Sequence, residues 1–242
     1  FAMPLPPDFC RPPQGVVGVN LVGEHGTSDV FIDRVRDALR TFFRTEANCC
    51  PVGICSETRR EVGFDYALTS DVVRSIAPEA EVWCDYLSCD AFLESLNRCE
   101  FVVTMRMHVL LFCGLLGIPC LAIAREQKTE SMLRELGLPV ELDLDSSCEE
   151  MAQALQRIRE SPSAYIPSRE HVAQLHERAL RNAEIWFDCY RDGSVPSNAL
   201  SERLRAWGRV AWETSIPIRA CLRLKAIIRR RMNAPAFRQS GR

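Results

Sequence analysis

From Gly15 onward, short β-branched and apolar runs take turns with stretches whose apolar residues recur at helical spacing, and this alternation constrains the fold more than any other feature of the chain. A parallel strand needs a crossover to reach its neighbour, and an amphipathic helix supplies one, so the pattern reads as consecutive βαβ units. The expected strands are 15–22, 49–55, 80–87, 100–105, 119–124 and 140–144. The expected helices are 28–44, with Ser28 as N-cap, then 64–76, 89–98, 108–116 and 129–137. After the last strand the pattern is helical only. Met151, Leu155 and Ile158 mark one helix, and Val172, Leu175, Ala179, Ala183, Trp186 and Tyr190 mark a longer one ended by Gly193 and Pro196. The expected fold class is therefore α/β: a Rossmann-like parallel sheet flanked by helices over 14–162, with a helical C-terminal extension over 163–242.

Composition narrows the function classes. With 47% apolar and 26% charged residues the chain has the makeup of a globular protein, and no apolar run approaches the roughly 18 residues of a membrane span. It opens at Phe1 on a Pro-rich stretch without a charged n-region or apolar h-region, so a signal peptide is not expected and the chain reads as a piece of a longer one. Twelve cysteines lie largely inside apolar runs and form no C-x-x-C pair, which points to buried, reduced thiols in a cytoplasmic protein rather than to disulfides or zinc. No metal site is expected. The net charge of −2 hides an asymmetry: residues 200–242 carry eleven Arg or Lys against two Glu, a net +9, and leave the first 199 residues at −11. Within that tail, 200–232 alternates Leu222, Leu224, Ile227 and Ile228 with Arg219, Arg223, Lys225 and Arg229 to Arg231, interrupted at Pro217. Such a segment fits an anionic membrane surface, and packing against another domain is the alternative; nucleic acid is not an expected partner.

In an open parallel sheet, ligands bind at the carboxyl ends of the strands, where loops and helix N-termini converge. The first strand runs into Gly23-Glu24-His25-Gly26-Thr27-Ser28, which is neither a dinucleotide fingerprint nor a phosphate-binding P-loop; His25 there reads either as a site residue or as a solvated loop histidine. Ser56-Glu57-Thr58-Arg59-Arg60 follows the second strand and offers an exposed Arg pair. The strongest signal is Val103-Thr104-Met105-Arg106-Met107-His108-Val109, where an Arg and a His appear together as an apolar strand turns into an apolar helix. Neither suits a core. Arg106 presents a rigid fork matched to a carboxylate or phosphate, and His108 can exchange a proton near neutral pH. The alternative is that they pair with acidic neighbours and join strand to helix. The next strand delivers Lys128, one of only two lysines in the chain, to the same edge, as a substrate contact or as a helix cap.

The stretch 92–139 resembles the C-terminal part of the polysaccharide pyruvyl transferase family: Arg106-x-His108 at a strand end, a small and apolar helix, Gly117-Ile118-Pro119, a strand, then Lys128 ahead of Leu136-Gly137-Leu138. The resemblance implies a glycosyltransferase-B-like architecture, of which this chain would supply mainly the C-terminal half. It implies an enzyme that moves pyruvate from phosphoenolpyruvate to a sugar of a cell-surface polysaccharide as a ketal, with no cofactor. Carried over by motif position, Arg106 and Lys128 would contact anionic groups of the donor and His108 would be the general acid or base. The acceptor would be a sugar, lipid-linked where the tail holds the protein at the inner face of the membrane. Two rival readings stand beside this one. A nucleotide-sugar glycosyltransferase of the same architecture is disfavoured because Glu126 and Glu130 do not form an E-x7-E pair, and an inactive Rossmann-like scaffold would dock to a polysaccharide assembly through its basic tail.

Overall fold

The computed structural model of the chain describes residues 15–23, 27–57, 64–86, 89–178 and 181. Six strands, β1 (Val16–Asn20), β2 (Cys50–Ile54), β3 (Val82–Trp83), β4 (Phe101–Thr104), β5 (Cys120–Ala124) and β6 (Leu142–Asp143), form one all-parallel sheet in the order β3-β2-β1-β4-β5-β6. Helices α1 (Asp29–Thr45), α2 (Asp65–Ile76), α3 (Cys89–Asn97), α4 (Met107–Leu116), α5 (Gln127–Glu135) and α6 (Cys148–Glu160) connect and follow them, and a 3-10 turn at Pro162–Tyr165 leads to a helix described over 169–178. This is the Rossmann-like α/β class expected from the alternation. Every expected strand and helix up to α6 is present.

Alternation of side chains along the strands divides the core into two layers. From β4, Phe101 and Val103 join α1, α2 and α6 on one face, whereas Val102 joins α3, α4 and α5 on the other. β5 repeats the pattern, with Leu121 and Ile123 on the first face and Cys120 and Ala122 on the second. Both faces are covered, which is why the strands read as continuous apolar runs rather than as alternating ones.

Helix boundaries follow from local chemistry. The Ser28 side chain accepts from the Phe31 amide, so the expected cap opens α1, and Ser147 and Glu150 form a reciprocal capping box on α6. Gly117 ends α4 at φ 71°, a left-handed conformation that glycine adopts without a Cβ penalty. Among the described cysteines, Cys49, Cys55, Cys84, Cys99, Cys113 and Cys120 are buried free thiols; Cys50 is exposed and Cys148 half-buried. Burial pushes the Cys99 and Cys113 thiols well above their ordinary range, so they stay protonated and pack as small apolar groups.

The strand order reverses between β1 and β4, because the chain builds outward through β2 and β3 and then returns to the centre. That reversal leaves two diverging connections at the carboxyl ends of β1 and β4, the place where an open sheet accepts ligands. The fold thus positions Asn20, Ile54, Thr104 and Ala124, the last residues of four strands, around one edge.

Candidate active site

Asn20 and Thr104 end the two central strands, and both are fully buried although polar. They bond to each other: the Thr104 hydroxyl donates to Asn20 Oδ1 at 2.8 Å. Asn20 Nδ2 in turn donates to the Ile54 carbonyl at 2.8 Å and to Asp65 Oδ2 at 3.1 Å. Asp65 opens α2 and is itself wholly inaccessible to solvent. A carboxylate in the first turn of a helix is favoured by the helix dipole, and here further donors surround it. Ser56, in the loop after β2, donates to Asp65 Oδ2 through its amide at 3.1 Å and its hydroxyl at 2.8 Å. The other oxygen, Oδ1, accepts from Arg106 Nε at 3.0 Å and Nη2 at 2.7 Å.

Arg106 is the N-cap residue of α4, in extended backbone geometry, and its amide donates to Thr104 Oγ1 at 2.9 Å. Its side chain is one-fifth exposed while that of Asp65 is not exposed at all, so the pair lies across the boundary between core and edge. The reading in which Arg106 joins strand to helix through an acidic neighbour therefore describes these contacts, and its partner is Asp65. His108 sits in the first turn of α4, is exposed to solvent and has no hydrogen bond or ion pair among the described residues. Partial burial of the imidazole, then the Arg106 and Lys128 charges, hold its pKa below the ordinary value, so it rests neutral at pH 7.

Lys128 lies in the first turn of α5, which begins two residues earlier than expected. Its ammonium is largely exposed and pairs with Glu126 Oε2 at 2.7 Å; it does not cap the helix. Glu126 also pairs with the well-buried Arg125, and Lys128 followed by Arg125 holds the Glu126 carboxyl below the usual range. The structure therefore brings Arg106, His108 and Lys128 to one sheet edge, close enough for both cations to act on the imidazole. His25 lies outside the described residues, as do Arg59 and Arg60 and the whole of 200–232. Asn20, Ser56, Asp65 and Thr104 were not expected from sequence. The available signal was polarity at the ends of otherwise apolar strands: Asn20 interrupts Val19 and Leu21, and Thr104 closes Phe101-Val102-Val103.

A shallow groove of about 400 Å³ lies elsewhere, between α1 and α6, lined by Thr41, Thr45, Gln153 and Gln156 among others. No group of three or more His, Cys, Asp or Glu side chains in the described residues is arranged to hold a metal ion, and no helix there is long and apolar enough to cross a membrane.

Residues 84–127 match the polysaccharide pyruvyl transferase family. The matched segment runs from the end of β3 to the first residue of α5 and contains Arg106 and His108; Lys128 is the next residue after it. It covers fewer than one residue in five of the chain. No curated protein matches the sequence. Among solved structures, one from Listeria monocytogenes, provisionally described as a UDP-N-acetylglucosamine 2-epimerase, is similar with a TM-score of 0.45 and 9% identity over 68% of this chain. The match spans 41% of that structure's length.

Proposed function

We propose that this chain carries the phosphoenolpyruvate-binding edge of a polysaccharide pyruvyl transferase. The observation that supports the reading best is the convergence of Arg106, His108 and Lys128 at the carboxyl edge of the sheet, with the first two inside the segment that matches the family. Arg106 and Lys128 bind the carboxylate and phosphate of the donor. His108 exchanges the proton.

The chemistry follows from those roles. Protonation of the enol methylene by imidazolium makes a new C–H bond and leaves a cationic centre at C2, which a sugar hydroxyl attacks as it loses its own proton. The C2–O bond to phosphate then breaks, and a second hydroxyl of the same sugar closes the ketal, its proton leaving with inorganic phosphate. Cations beside the phosphate stabilise the charge that develops on the leaving group. Because His108 rests neutral, it must gain its proton when the donor binds, and a phosphate dianion placed beside it supplies the opposing charge that raises its pKa. The cationic neighbours that add to the effect of burial in keeping it neutral are the groups a bound anion would offset. The sugar acceptor, and its attachment to a lipid at a membrane face, belong to the same proposal.

Isothermal titration with phosphoenolpyruvate in two buffers of different ionisation enthalpy tests both parts. Binding should be accompanied by proton uptake near neutral pH, and a His108→Gln variant should bind without it. The reading fails if phosphoenolpyruvate does not bind, if uridine nucleotides bind in its place, or if an Arg106→Ala, Lys128→Ala double variant binds as tightly as the unaltered chain.

A further inference from the structure

We propose that Asp65 is a positioning residue of this site: its carboxylate fixes the orientation of the Arg106 guanidinium and locks it to the ends of β1 and β2. The inference rests on the reading of Arg106 as the anion ligand and adds a residue outside the matched segment. Its basis is a division of labour between the two carboxylate oxygens. Oδ2 is anchored to the scaffold by the Ser56 amide, the Ser56 hydroxyl and Asn20 Nδ2. Oδ1 receives Nε and Nη2 of Arg106. Two donors of one planar group on one oxygen of an anchored carboxylate fix the reach and the direction of the guanidinium.

Stability alone is a weak reason for such a pair. A fully buried carboxylate loses hydration that a single ion pair seldom returns in full, and an apolar pair of similar volume would serve a core as well. An arginine that must meet a planar carboxylate or a phosphate gains from being held in place before the ligand arrives, since little orientation then remains to be lost on binding. Asn20 extends the same restraint, because its amide also bonds Ile54 and Thr104 and so ties three strand ends to the carboxylate. An amide in place of Asp65 would turn one acceptor into a donor facing donors, either toward Arg106 or toward Ser56 and Asn20.

The test is a double-variant cycle read by calorimetric binding of phosphoenolpyruvate, with ¹⁵N spectroscopy of the arginine Nε–H groups as an independent measurement. Asp65→Asn should weaken binding by about tenfold, by analogy with the roughly 10–100-fold cost of removing the outer partner that orients a metal ligand. In an Arg106→Ala background the same change should matter less than twofold, because its effect passes through the guanidinium. A merely structural carboxylate would cost the same in both backgrounds, and that result overturns the proposal. If Arg106→Ala leaves binding unchanged, the functional reading of Arg106 has failed and the spectroscopic measurement decides the role of Asp65. An Arg106 Nε–H that exchanges slowly in the unaltered chain and quickly in Asp65→Asn supports it, and equal exchange overturns it. Should Asp65→Asn not fold, Ser56→Ala removes one anchor of Oδ2 and enters the same cycle; an effect independent of Arg106 refutes the inference.

Discussion

Replacing Thr104 by Val keeps the shape and the β-branch of the residue and removes only its hydroxyl. That hydroxyl donates to Asn20 Oδ1 at 2.8 Å and accepts the Arg106 amide at 2.9 Å, in a residue with no exposed surface. Both partners are left unsatisfied by the change. Each buried polar group so abandoned costs about 1–3 kcal/mol, which sets the total at about 2–6 kcal/mol. The lower half of that range applies, because the bond from the Arg106 amide is only partly buried and water can recover part of that loss. At about 3 kcal/mol, and with roughly 2–4 °C per kcal/mol for a chain of this size, Tm should fall by about 6–12 °C. Thr104→Ser is the control: it retains the hydroxyl and loses a buried methyl, for a cost of about 1 kcal/mol. Thermal unfolding followed by circular dichroism measures both, and phosphoenolpyruvate affinity in the same samples should fall for Thr104→Val and hold for Thr104→Ser. A Thr104→Val melt within about 2 °C of the unaltered chain, or a Thr104→Ser variant equally impaired, would refute the claim that this hydroxyl carries the network.

Two further outcomes are expected. The folded-state pKa of His108 lies below the ordinary value of about 6.5, so as pH falls below that value the unfolded chain takes up a proton that the folded chain resists. Stability contributed by the neutral imidazole is present above about pH 6.5 and is lost as pH falls through the folded-state value. His108→Gln should therefore lose less stability than the unaltered chain on acidification in melts between about pH 7 and pH 5, and parallel curves would contradict the assignment. Gly137 has φ 66°, and a Cβ there would stand 2.5 Å from Cε1 of the His171 ring. Gly137→Ala should cost about 1–2 kcal/mol for the left-handed backbone plus the displacement of that ring. Adding His171→Ala should restore the second part only, and strict additivity of the two changes in chemical denaturation would show that the ring is not in contact.

How much of this could be read in the sequence depends on which physical signal a residue carries. The central strands were legible because they are covered on both faces, and a run such as Phe101-Val102-Val103 has few alternatives to a buried strand. The two edge strands are shorter than their sequence pattern suggested, two residues each against expected runs of 80–87 and 140–144. An edge strand is paired on one side alone, and the ladder ends where its single neighbour turns away. Lys128 and His108 were legible as polar, titratable residues just beyond strand ends. Asp65 was not, because an acidic residue at the start of a helix already has a sufficient local explanation in the dipole, and nothing local distinguishes a solvated helix-starting carboxylate from one buried under an arginine supplied 41 residues later.

The long-range pairing changes what the charges at this edge can do. Arg106 is matched by Asp65, and Lys128 by Glu126, so two of the cations that a donor anion would meet already carry a carboxylate each. If the proposed donor binds here, it is held less by unbalanced charge than by donors in a fixed arrangement, whose orientation would need little reorganisation as charge develops on a leaving phosphate. His108 is the exception, a titratable group at the same edge with no partner among the described residues. The charge it lacks at rest is the charge that becomes favourable when a dianion arrives. On the proposed reading, proton uptake by His108 would accompany binding of the donor and would supply the acid that the enol methylene requires.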